Sequence, residues 1–375
     1  MKINILQGAF FPVPPTRGGA IEAAWFALGQ EFVKLGHEVN HISRLDHGLK
    51  NSDVVNGVNH RRIRGANAVK NPYLLKLLEF PYVLRARKAM QVADILVTHA
   101  FWAPLLFPKQ KFGRIYVHVG RYPKGQLKLY RKASRFQVPT VSIADICKQQ
   151  IPRQAAKVET LPYPLTWSPL PRIDFNKKEK VILYAGRIHP EKGIESLVAA
   201  WLKLPCEVVG GWTLRLIGPW QEEQGGGGRQ FYQSLKRNIE ISKNKVELLD
   251  PIFDRDALKK EMEKAQLFIY PSQAKDGETF GLAVLEAMSC GCVPVVSALP
   301  CFLDFITFDT EGFCLKPNSK DNPSSIIQEK LGEILTEKEQ NINNMAEAAW
   351  TRSKEYELSK VAQKYLDNFS SLLKK

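Results

Sequence analysis

The chain has 375 residues, 44% of them hydrophobic, and its 53 Lys and Arg residues against 38 Asp and Glu residues give a formal net charge of +15 at pH 7. This length exceeds what one ordinary hydrophobic core serves and predicts two globular domains. The six cysteines have neither C-x-x-C nor Cys/His metal spacing, which excludes the common zinc modules. No apolar run reaches the roughly 18 residues of a membrane span, and MKINILQGAFF lacks the features of a signal peptide, so we expect a cytoplasmic protein with reduced cysteines.

The positive charge is unevenly distributed along the chain. Residues 1–170 contain 25 Lys and Arg residues against 9 Asp and Glu residues, whereas the remaining residues contain 28 against 29. The whole excess therefore belongs to the first half. Such asymmetry indicates an anionic partner, and a nucleic acid, a phosphate-bearing substrate and a membrane surface are the three classes that fit.

Strand-like and helical patterns alternate through the first half, which is typical of a parallel sheet with crossover helices. After the first strand, AIEAAWFALGQEFVKLG has the pattern of a helix that ends at Gly36. The predicted strands of this half are INILQGAFF, HEVNHIS, DILVTHA, RIYVHVG, TVSIADI and VETLPY.

One segment of the first half, residues 71–91, combines Leu, Phe and Tyr with four cations, Lys76, Arg85, Arg87 and Lys88. Interfacial helices have this composition, so NPYLLKLLEFPYVLRARKAMQ predicts peripheral docking on an anionic membrane. The alternative is a core helix with a solvated basic edge.

Prolines interrupt regular structure at the middle of the chain, where the charge balance also changes. We therefore place the joint at residues 163–174, with domains at 1–165 and 166–355. The amphipathic segment 356–375 is predicted to form a helix that crosses back to the first domain. The prolines at the joint are Pro162, Pro164, Pro169 and Pro171.

The second half repeats the alternation, so the chain predicts two doubly wound α/β domains in series. The GGGG run at residues 225–228 has the composition of a mobile loop, with a ligand contact as the alternative. The predicted strands of this half are KVILYAG, WTLRLIG, KVELLD, QLFIYPS, VPVVSA and GFCLKP.

The segment ETFGLAVLEAM places Glu278 and Glu286 eight residues apart, after one predicted strand and before another. In one continuous helix the two carboxylates would lie about 80° apart around the axis and about 12 Å apart along it, which is unsuited to joint acid/base work. A helix that begins near Gly281 instead leaves Glu278 in a loop and directs the N–H groups of Phe280, Gly281 and Leu282 toward an anion such as a phosphate. The alternative is a capping glutamate and a solvated glutamate on a buried helix.

A second segment, ILYAGRIHPEKG, places Arg187 and Lys192 in the turn after another predicted strand. Two fixed cations at the carboxyl end of a strand suit a diphosphate, whereas the alternative is a solvated basic turn. Gly218 and Ile252, which follow the next two predicted strands, are assigned to the same ligand-binding edge.

Together these segments resemble the retaining glycosyltransferases of family 4, also called glycosyl transferases group 1. The motif that carries the resemblance is E-x7-E, here Glu278 to Glu286, within YPSQAKDGETFGLAVLEAMSCGCVPVV, and AGRIHPEKG agrees with it. The resemblance implies the GT-B architecture, in which two Rossmann-like domains with doubly wound parallel sheets face a central cleft. It also implies that Arg187 and Lys192 hold the donor's diphosphate.

The resemblance implies roles for the motif residues as well. Glu286 would take the ribose hydroxyls, Glu278 would contact the transferred sugar, and the backbone of residues 280–282 would complete the donor site. In the N-terminal domain, Gly18 and Gly19 stand where the family has a glycine-rich loop. His118 stands where the family has a histidine near the reacting sugar, with His99 as the rival.

Two features depart from the family pattern or imitate another one. Where the family commonly has a glycine pair and a glutamate, this chain has LPCFLDFI after the strand VPVVSA. DRD at residues 254–256 imitates the metal-binding D-x-D of a different glycosyltransferase architecture, but we expect it to cap the helix DRDALKKEMEKA. The resemblance implies no metal and no cofactor.

The resemblance therefore predicts transfer of a hexose from a nucleotide-sugar to a glycan or lipid-linked glycan, with retention of the anomeric configuration. UDP-glucose is the expected donor, and GDP-mannose and UDP-N-acetylglucosamine remain open. We expect location in the cytoplasm or on the inner face of the cytoplasmic membrane, and no nucleic-acid partner. The competing classes are a GT-B epimerase or phosphorylase and a basic nucleic-acid-binding protein, although no recognition module supports the latter.

Overall fold

A computed structural model describes residues 1–69, 71–167, 170, 173–274, 276–316 and 322–374. Two of the prolines at the predicted joint, Pro169 and Pro171, lie outside these residues. The chain forms two compact units, one made of Met1–Ser168 with Tyr356–Lys375 and the other of Pro169–Glu355. We call them the first and the second unit. Among the described residues, none of the helices combines the length and the apolarity needed to cross a bilayer.

The first unit contains an eight-stranded sheet in the order β3-β4-β2-β1-β5-β6-β7-β8. All neighbouring strands are parallel except β3 and β4, which form an antiparallel pair at one edge. The strands are β1 (Lys2–Leu6), β2 (Glu38–Arg44), β3 (Ser52–Val55), β4 (Val58–Ile63), β5 (Ile95–Thr98), β6 (Arg114–His118), β7 (Arg135–Val138) and β8 (Val158–Thr160). The helices between them are α1 (Ala20–Lys34), α2 (Pro72–Ala89), α3 (Ala103–Leu106), α4 (Lys109–Phe112) and α5 (Val141–Gln150).

The prediction of a strand at TVSIADI was wrong, because this segment begins helix α5. Ile143, Ala144 and Cys147 are its buried residues, and this spacing defines one face of a helix. A short apolar run does not distinguish a strand from a buried helix by itself. The strand of this region, β7, lies immediately before it.

The sequence predictions did not include the antiparallel pair β3–β4, although the residues of its turn are typical of a hairpin. Asn56 and Gly57 join the two strands with φ angles of 49° and 81°. A two-residue Asn-Gly turn with positive φ at both positions is the commonest hairpin connection. One edge of this otherwise parallel sheet therefore consists of a β-hairpin, with β3 as the edge strand.

The second unit contains a six-stranded sheet, parallel throughout, in the order β11-β10-β9-β12-β13-β14. All six strands predicted for this half are present. The strands are β9 (Glu179–Ala185), β10 (Thr213–Ile217), β11 (Val246–Leu249), β12 (Ala265–Tyr270), β13 (Val293–Ser297) and β14 (Phe313–Leu315). The helices are α6 (Ile194–Lys203), α7 (Cys206–Val209), α8 (Arg229–Glu240), α9 (Arg255–Lys264), α10 (Leu282–Ser289), α11 (Pro323–Leu335) and α12 (Glu339–Ser353).

The last helix, α13 (Leu358–Leu373), packs against α1 in the core of the first unit. Its aromatic rings make edge contacts with side chains of α1, with centroids 5.2 Å apart for Trp25 and Tyr365 and 5.8 Å apart for Phe32 and Phe369. Buried aromatic pairs contribute large areas of apolar contact. These contacts fix the C-terminal segment in the first unit.

A buried lysine binds backbone carbonyl groups at the C-terminal ends of α9 and α10 and at the start of β12. Lys178 is 9% exposed. Its ammonium group donates to the carbonyl oxygens of Met262 (3.3 Å), Glu263 (3.0 Å), Ala265 (2.8 Å) and Cys290 (2.7 Å). The last carbonyls of a helix have no partner within the helix, so one ammonium satisfies the ends of two helices together.

Candidate active site

Arg187 is held in a fixed orientation in the turn that follows β9. Its guanidinium donates to the carbonyl oxygen of Gly225 (2.7 Å) and to the carboxylate of Glu191 (2.6 Å). The side chain remains 42% exposed. A cation that is positioned before a ligand arrives loses little conformational entropy on binding an anion.

The glycine run at residues 225–228, whose composition indicated a mobile loop, forms backbone hydrogen bonds at all four positions. The N–H groups of all four glycines donate to backbone carbonyls at 2.8–2.9 Å, and the acceptors are Glu222, Gln221, Ile188 and Trp220 in that order. Several close contacts leave no room for side chains here; a Cβ on Gly226 would lie 2.2 Å from the backbone of Trp220. The run is a hydrogen-bonded turn that supplies the carbonyl for Arg187.

Lys192 and Glu278, the two residues assigned to the diphosphate and the sugar, form an ion pair with each other. Their side chains are 5% and 8% exposed, so the pair is buried. The hydroxyl of Tyr270 donates to the same carboxylate oxygen at 3.3 Å, and the lysine ammonium lies 5.3 Å from the centre of the Tyr270 ring. Burial, reinforced by the charge of Glu278, raises the pKa of Tyr270 well above its usual value.

Helix α10 begins one residue after Gly281, close to the start that the sequence predicted. Gly281 has a φ of 89°, and an added Cβ would lie 2.5 Å from the ring of Phe302. Only glycine fits this position without displacing the ring. The segment that departs from the family pattern therefore contributes a buried aromatic ring beside the first turn of α10, next to Phe280 and Leu282, which are also buried.

Glu286 lies inside α10 and is 3% exposed. Its carboxylate accepts from the guanidinium of Arg255, the first residue of α9. Nothing in the motif indicates Arg255, because the two residues are 31 positions apart in the chain and meet only when α9 packs beside α10.

Gly218 and Ile252 follow β10 and β11, the strands next to β9. A Cβ on Gly218 would lie 1.7 Å from the carbonyl oxygen of Gly186, so the turns after β9 and β10 approach each other too closely for any side chain at this position. Ile252 is half-buried in the connection to α9. The predicted donor residues of this unit thus lie on the segments that follow four neighbouring strands, β11, β10, β9 and β12, with Glu286 one turn inside α10.

DRD caps helix α9, as predicted. The carboxylate of Asp254 accepts from the N–H of Ala257 at 2.7 Å. Within the part of the chain that the structure describes, no group of three or more His, Cys, Asp or Glu residues is arranged to hold a metal ion.

The predicted glycine loop of the first unit leads into α1. Gly18 and Gly19 have φ angles of 77° and 109°, and Gly19 is the residue before the helix. The carboxylate of Glu22 lies over Gly19, where a Cβ would be 2.3 Å from its oxygen. Burial raises the pKa of Glu22, while a bond from its own backbone N–H and the charge of Arg121 oppose this rise.

His118 is 5% exposed and both of its ring nitrogens have partners. Nδ1 contacts the amide oxygen of Gln137, and Nε2 lies 2.7 Å from the hydroxyl of Tyr163. Burial lowers the pKa of His118 to about 4, although the bond to Gln137 acts in the opposite direction. His118 is therefore a neutral imidazole, and both of its ring nitrogens are bonded to side chains of the protein.

Four histidines, which we call the histidine layer, lie in or at the end of strands of the first sheet. His41 and His60 stack with ring centroids 5.2 Å apart, and His99 and His118 lie 4.7 Å apart. The ring nitrogens of His41, His60 and His99 are buried and have no hydrogen-bond partner among the described residues. Sequence reasoning treated His99 and His118 as rivals, whereas the structure places them in contact.

The geometry of the second unit can be compared with known proteins. Residues 170–349 match the family described as glycosyl transferases group 1. An uncharacterized glycosyltransferase of Methanocaldococcus jannaschii is 24% identical over 364 residues, which cover 86% of this chain and 87% of that protein. The protein is a glycosyltransferase.

This glycosyltransferase is also similar to one further relative over part of its length and to one solved protein in its fold. The O-antigen chain mannosyltransferase B of Escherichia coli is 33% identical over 151 residues, which cover 40% of this chain and 36% of that protein. The structure of the Anabaena protein HepE with UDP matches 99% of this chain and 100% of that chain, with a TM-score of 0.71 and 18% identity. HepE was also solved with UDP-glucose, at a TM-score of 0.67 and 17% identity over the same shares of the two chains. The predicted GT-B fold is confirmed.

Proposed function

We propose that this glycosyltransferase is a retaining enzyme of family 4 that transfers glucose from UDP-glucose to a glycan or lipid-linked glycan. The observation that carries this proposal is the buried ion pair between Lys192 and Glu278. Arg187 lies in the turn after β9, and Glu286 lies on α10, the helix that follows the neighbouring strand β12. Cations there suit a diphosphate, and acceptor-only carboxylates suit hydroxyl groups of ribose and sugar.

In the proposed reaction the bond between the anomeric carbon and the diphosphate breaks, and the bond to the acceptor oxygen forms on the same face. The departing phosphate oxygen takes the acceptor's proton. Arg187, Lys192 and the N–H groups of the first turn of α10 stabilise the charge that develops on the diphosphate. Glu278 then acts as a contact for the sugar and as the partner of Lys192, and no proton transfer through it is required.

The donor assignment has a rival that a specific observation favours. HepE binds UDP-glucose, which supports glucose, whereas the relative that is 33% identical is a mannosyltransferase, which favours a mannose donor. A panel of UDP-glucose, UDP-N-acetylglucosamine and GDP-mannose therefore tests the proposal. We expect UDP-glucose to stabilise the protein against heat and to release UDP, most strongly with acceptor present.

The same panel contains its own control. Glu286→Ala should abolish both stabilisation and nucleotide release, whereas Lys236→Ala, at an exposed position on α8, should leave both unchanged. Stabilisation by GDP-mannose alone would replace glucose by mannose in the proposal. A protein stabilised by none of the three donors would contradict the proposed function.

We further propose that the first unit docks on an anionic membrane through α2. Tyr73, Leu77, Phe80 and Leu84 are 77%, 66%, 37% and 38% exposed. At 100° per residue these four lie within an arc of about 60°, so they form one apolar stripe. The charges that face solvent beside it are all positive, at Lys76, Arg85, Arg87 and Lys88.

This arrangement suits the inner face of the cytoplasmic membrane, because apolar side chains enter the acyl boundary while lysine and arginine meet anionic headgroups. Such docking would bring the enzyme to a lipid-linked acceptor. The helix itself is anchored through its other face, where Tyr82, Val83 and Ala86 are buried. Substitutions on the stripe therefore change the surface without opening the core.

Leu77→Glu should lower binding to vesicles of phosphatidylcholine and phosphatidylglycerol by at least about tenfold, since burying a leucine contributes about 1.5–3 kcal/mol. Co-sedimentation at constant lipid concentration measures the effect. Val54→Glu is the matched control, because Val54 is 67% exposed on β3 of the same unit and lies outside the stripe. Binding that ignores both the anionic lipid and the Leu77 substitution would eliminate α2 as the docking element.

A further inference from the structure

Arg255, which lies outside the E-x7-E motif, forms an ion pair with Glu286 of the proposed donor site. Glu286 is 3% exposed, whereas the side chain of Arg255 is 37% exposed. A buried carboxylate requires a charged or hydrogen-bonding partner, because its desolvation is otherwise unfavourable. Arg255 supplies that partner from the neighbouring helix while part of its surface faces solvent.

Arg255 is not the residue that caps α9. Asp254 caps α9 through the N–H of Ala257, so the first turn is already stabilised. The far end of the same helix is fastened separately by Lys178, which binds the carbonyls of Met262 and Glu263. The guanidinium of Arg255 reaches across to Glu286 on the neighbouring helix.

We propose that Arg255 is a positioning residue that holds the carboxylate of Glu286 in the orientation that accepts the ribose hydroxyls of the donor. A planar guanidinium fixes the plane and the charge of a carboxylate, and an ionised carboxylate accepts hydrogen bonds only. Discrimination between ribose and 2′-deoxyribose then depends on Arg255 as well as on Glu286. This inference rests on the proposed role of Glu286.

Arg215 provides a matched control in the same unit. Its guanidinium, 13% exposed, donates to Glu247 on β11 (2.7 Å) and to Glu261 on α9 (2.8 Å). Arg215 thus ties α9 to the sheet through an ion pair, as Arg255 ties α9 to α10, but it contacts neither motif glutamate. Substitution of Arg215 therefore removes ion pairs between α9 and the sheet and leaves the contacts of the Glu286 carboxylate unchanged.

The experiment measures the affinities of UDP, 2′-deoxy-UDP, GDP and 2′-deoxy-GDP by calorimetry for the full chain and its variants. For the nucleotide that the unaltered protein binds, Arg255→Met should weaken ribonucleotide binding about tenfold and change deoxynucleotide binding less than about twofold, because the loss concerns hydrogen bonds to one hydroxyl-binding group. Arg255→Lys should retain part of the preference. Arg215→Met should leave the preference for ribose unchanged, even where it lowers the melting temperature.

Glu286→Gln separates the two proposals. If this variant loses the preference for ribose and Arg255→Met keeps it, the inference is overturned and the role of Glu286 stands. If Glu286→Gln keeps the preference, or the unaltered protein binds no nucleotide, the proposed role of Glu286 fails and the inference fails with it. An equal loss of ribo- and deoxynucleotide affinity in Arg255→Met would also overturn the inference, because it would assign Arg255 to the diphosphate or to the fold.

Discussion

Lys192→Met should lower kcat/KM for the nucleotide-sugar by about 10²–10³-fold, which is the loss typical of removing one fixed donor from a developing oxyanion. Lys192 is the buried cation of the site, and a neutral side chain of similar length cannot stabilise the departing diphosphate. Initial rates of nucleotide release at several donor concentrations measure the effect. Lys236→Met, an exposed lysine on α8, should leave the rate unchanged.

The same substitution should also destabilise the fold, because it leaves Glu278 buried without its counter-charge. Removing one partner of a buried ion pair costs about 3–5 kcal/mol in the free energy of unfolding. The double variant Lys192→Met with Glu278→Leu replaces both charges by apolar groups and should recover most of the melting temperature. Activity should remain lost in this double variant.

The double variant distinguishes chemistry from folding. A stable protein without activity assigns Lys192 and Glu278 to the reaction. A stable protein with activity near that of the original would show that the pair is a structural tether, and the proposed roles of both residues would be wrong.

The second large effect is expected from pH. The histidine layer should contribute a loss of stability to the first unit as the pH falls from about 6.5 to about 4, because its rings are neutral when the protein is folded. Burial, assisted by the positive charge of Arg62 and opposed by Asp53, lowers the pKa of His60 to about 4, and burial lowers the pKa of His118 to about 4. In this window the unfolded chain binds protons at these histidines that the folded chain does not, so their contribution to stability rises with pH. Burial raises the pKa of Glu79 to about 7, which acts in the opposite direction.

Each of these two histidines should contribute a loss on the order of 3 kcal/mol at the acid end of the window, since one pKa unit corresponds to about 1.4 kcal/mol. Urea unfolding followed by circular dichroism at pH 7.5, 6, 5 and 4 measures the slope. His60→Asn should flatten it, whereas His47→Gln, at an exposed position, should not. A slope that is the same in both variants would exclude the histidine layer as the cause.

The strands of the second unit were predictable because each is a short, strongly apolar run between turn residues, and β12 is buried at all six positions. The site on this unit was partly predictable for the same reason. In a parallel sheet the carboxyl ends of neighbouring strands share one edge, so a motif that follows a strand has a known place. Lys192 and Glu278 could therefore be assigned to one site although they are 86 residues apart.

What the sequence could not give were the contacts made inside that site. The motif does not indicate that Lys192 and Glu278 bind each other, or that Arg255 reaches Glu286, because both contacts depend on the packing of helices. In the first unit the histidine layer was missed for a related reason. A histidine within a strand has the same local pattern whether it lies alone or beside another histidine on the adjacent strand.

Lys178 lies at the ends of α9 and α10 opposite to those that carry Arg255 and begin after Gly281. The two helices thus share an anchor at the ends opposite to the proposed donor site. Side chains at the opposite ends can change while this anchor keeps the spacing of the helices. Substitutions at the proposed donor site therefore leave the contacts of Lys178 intact, which offers a way to redesign nucleotide preference without rebuilding the sheet.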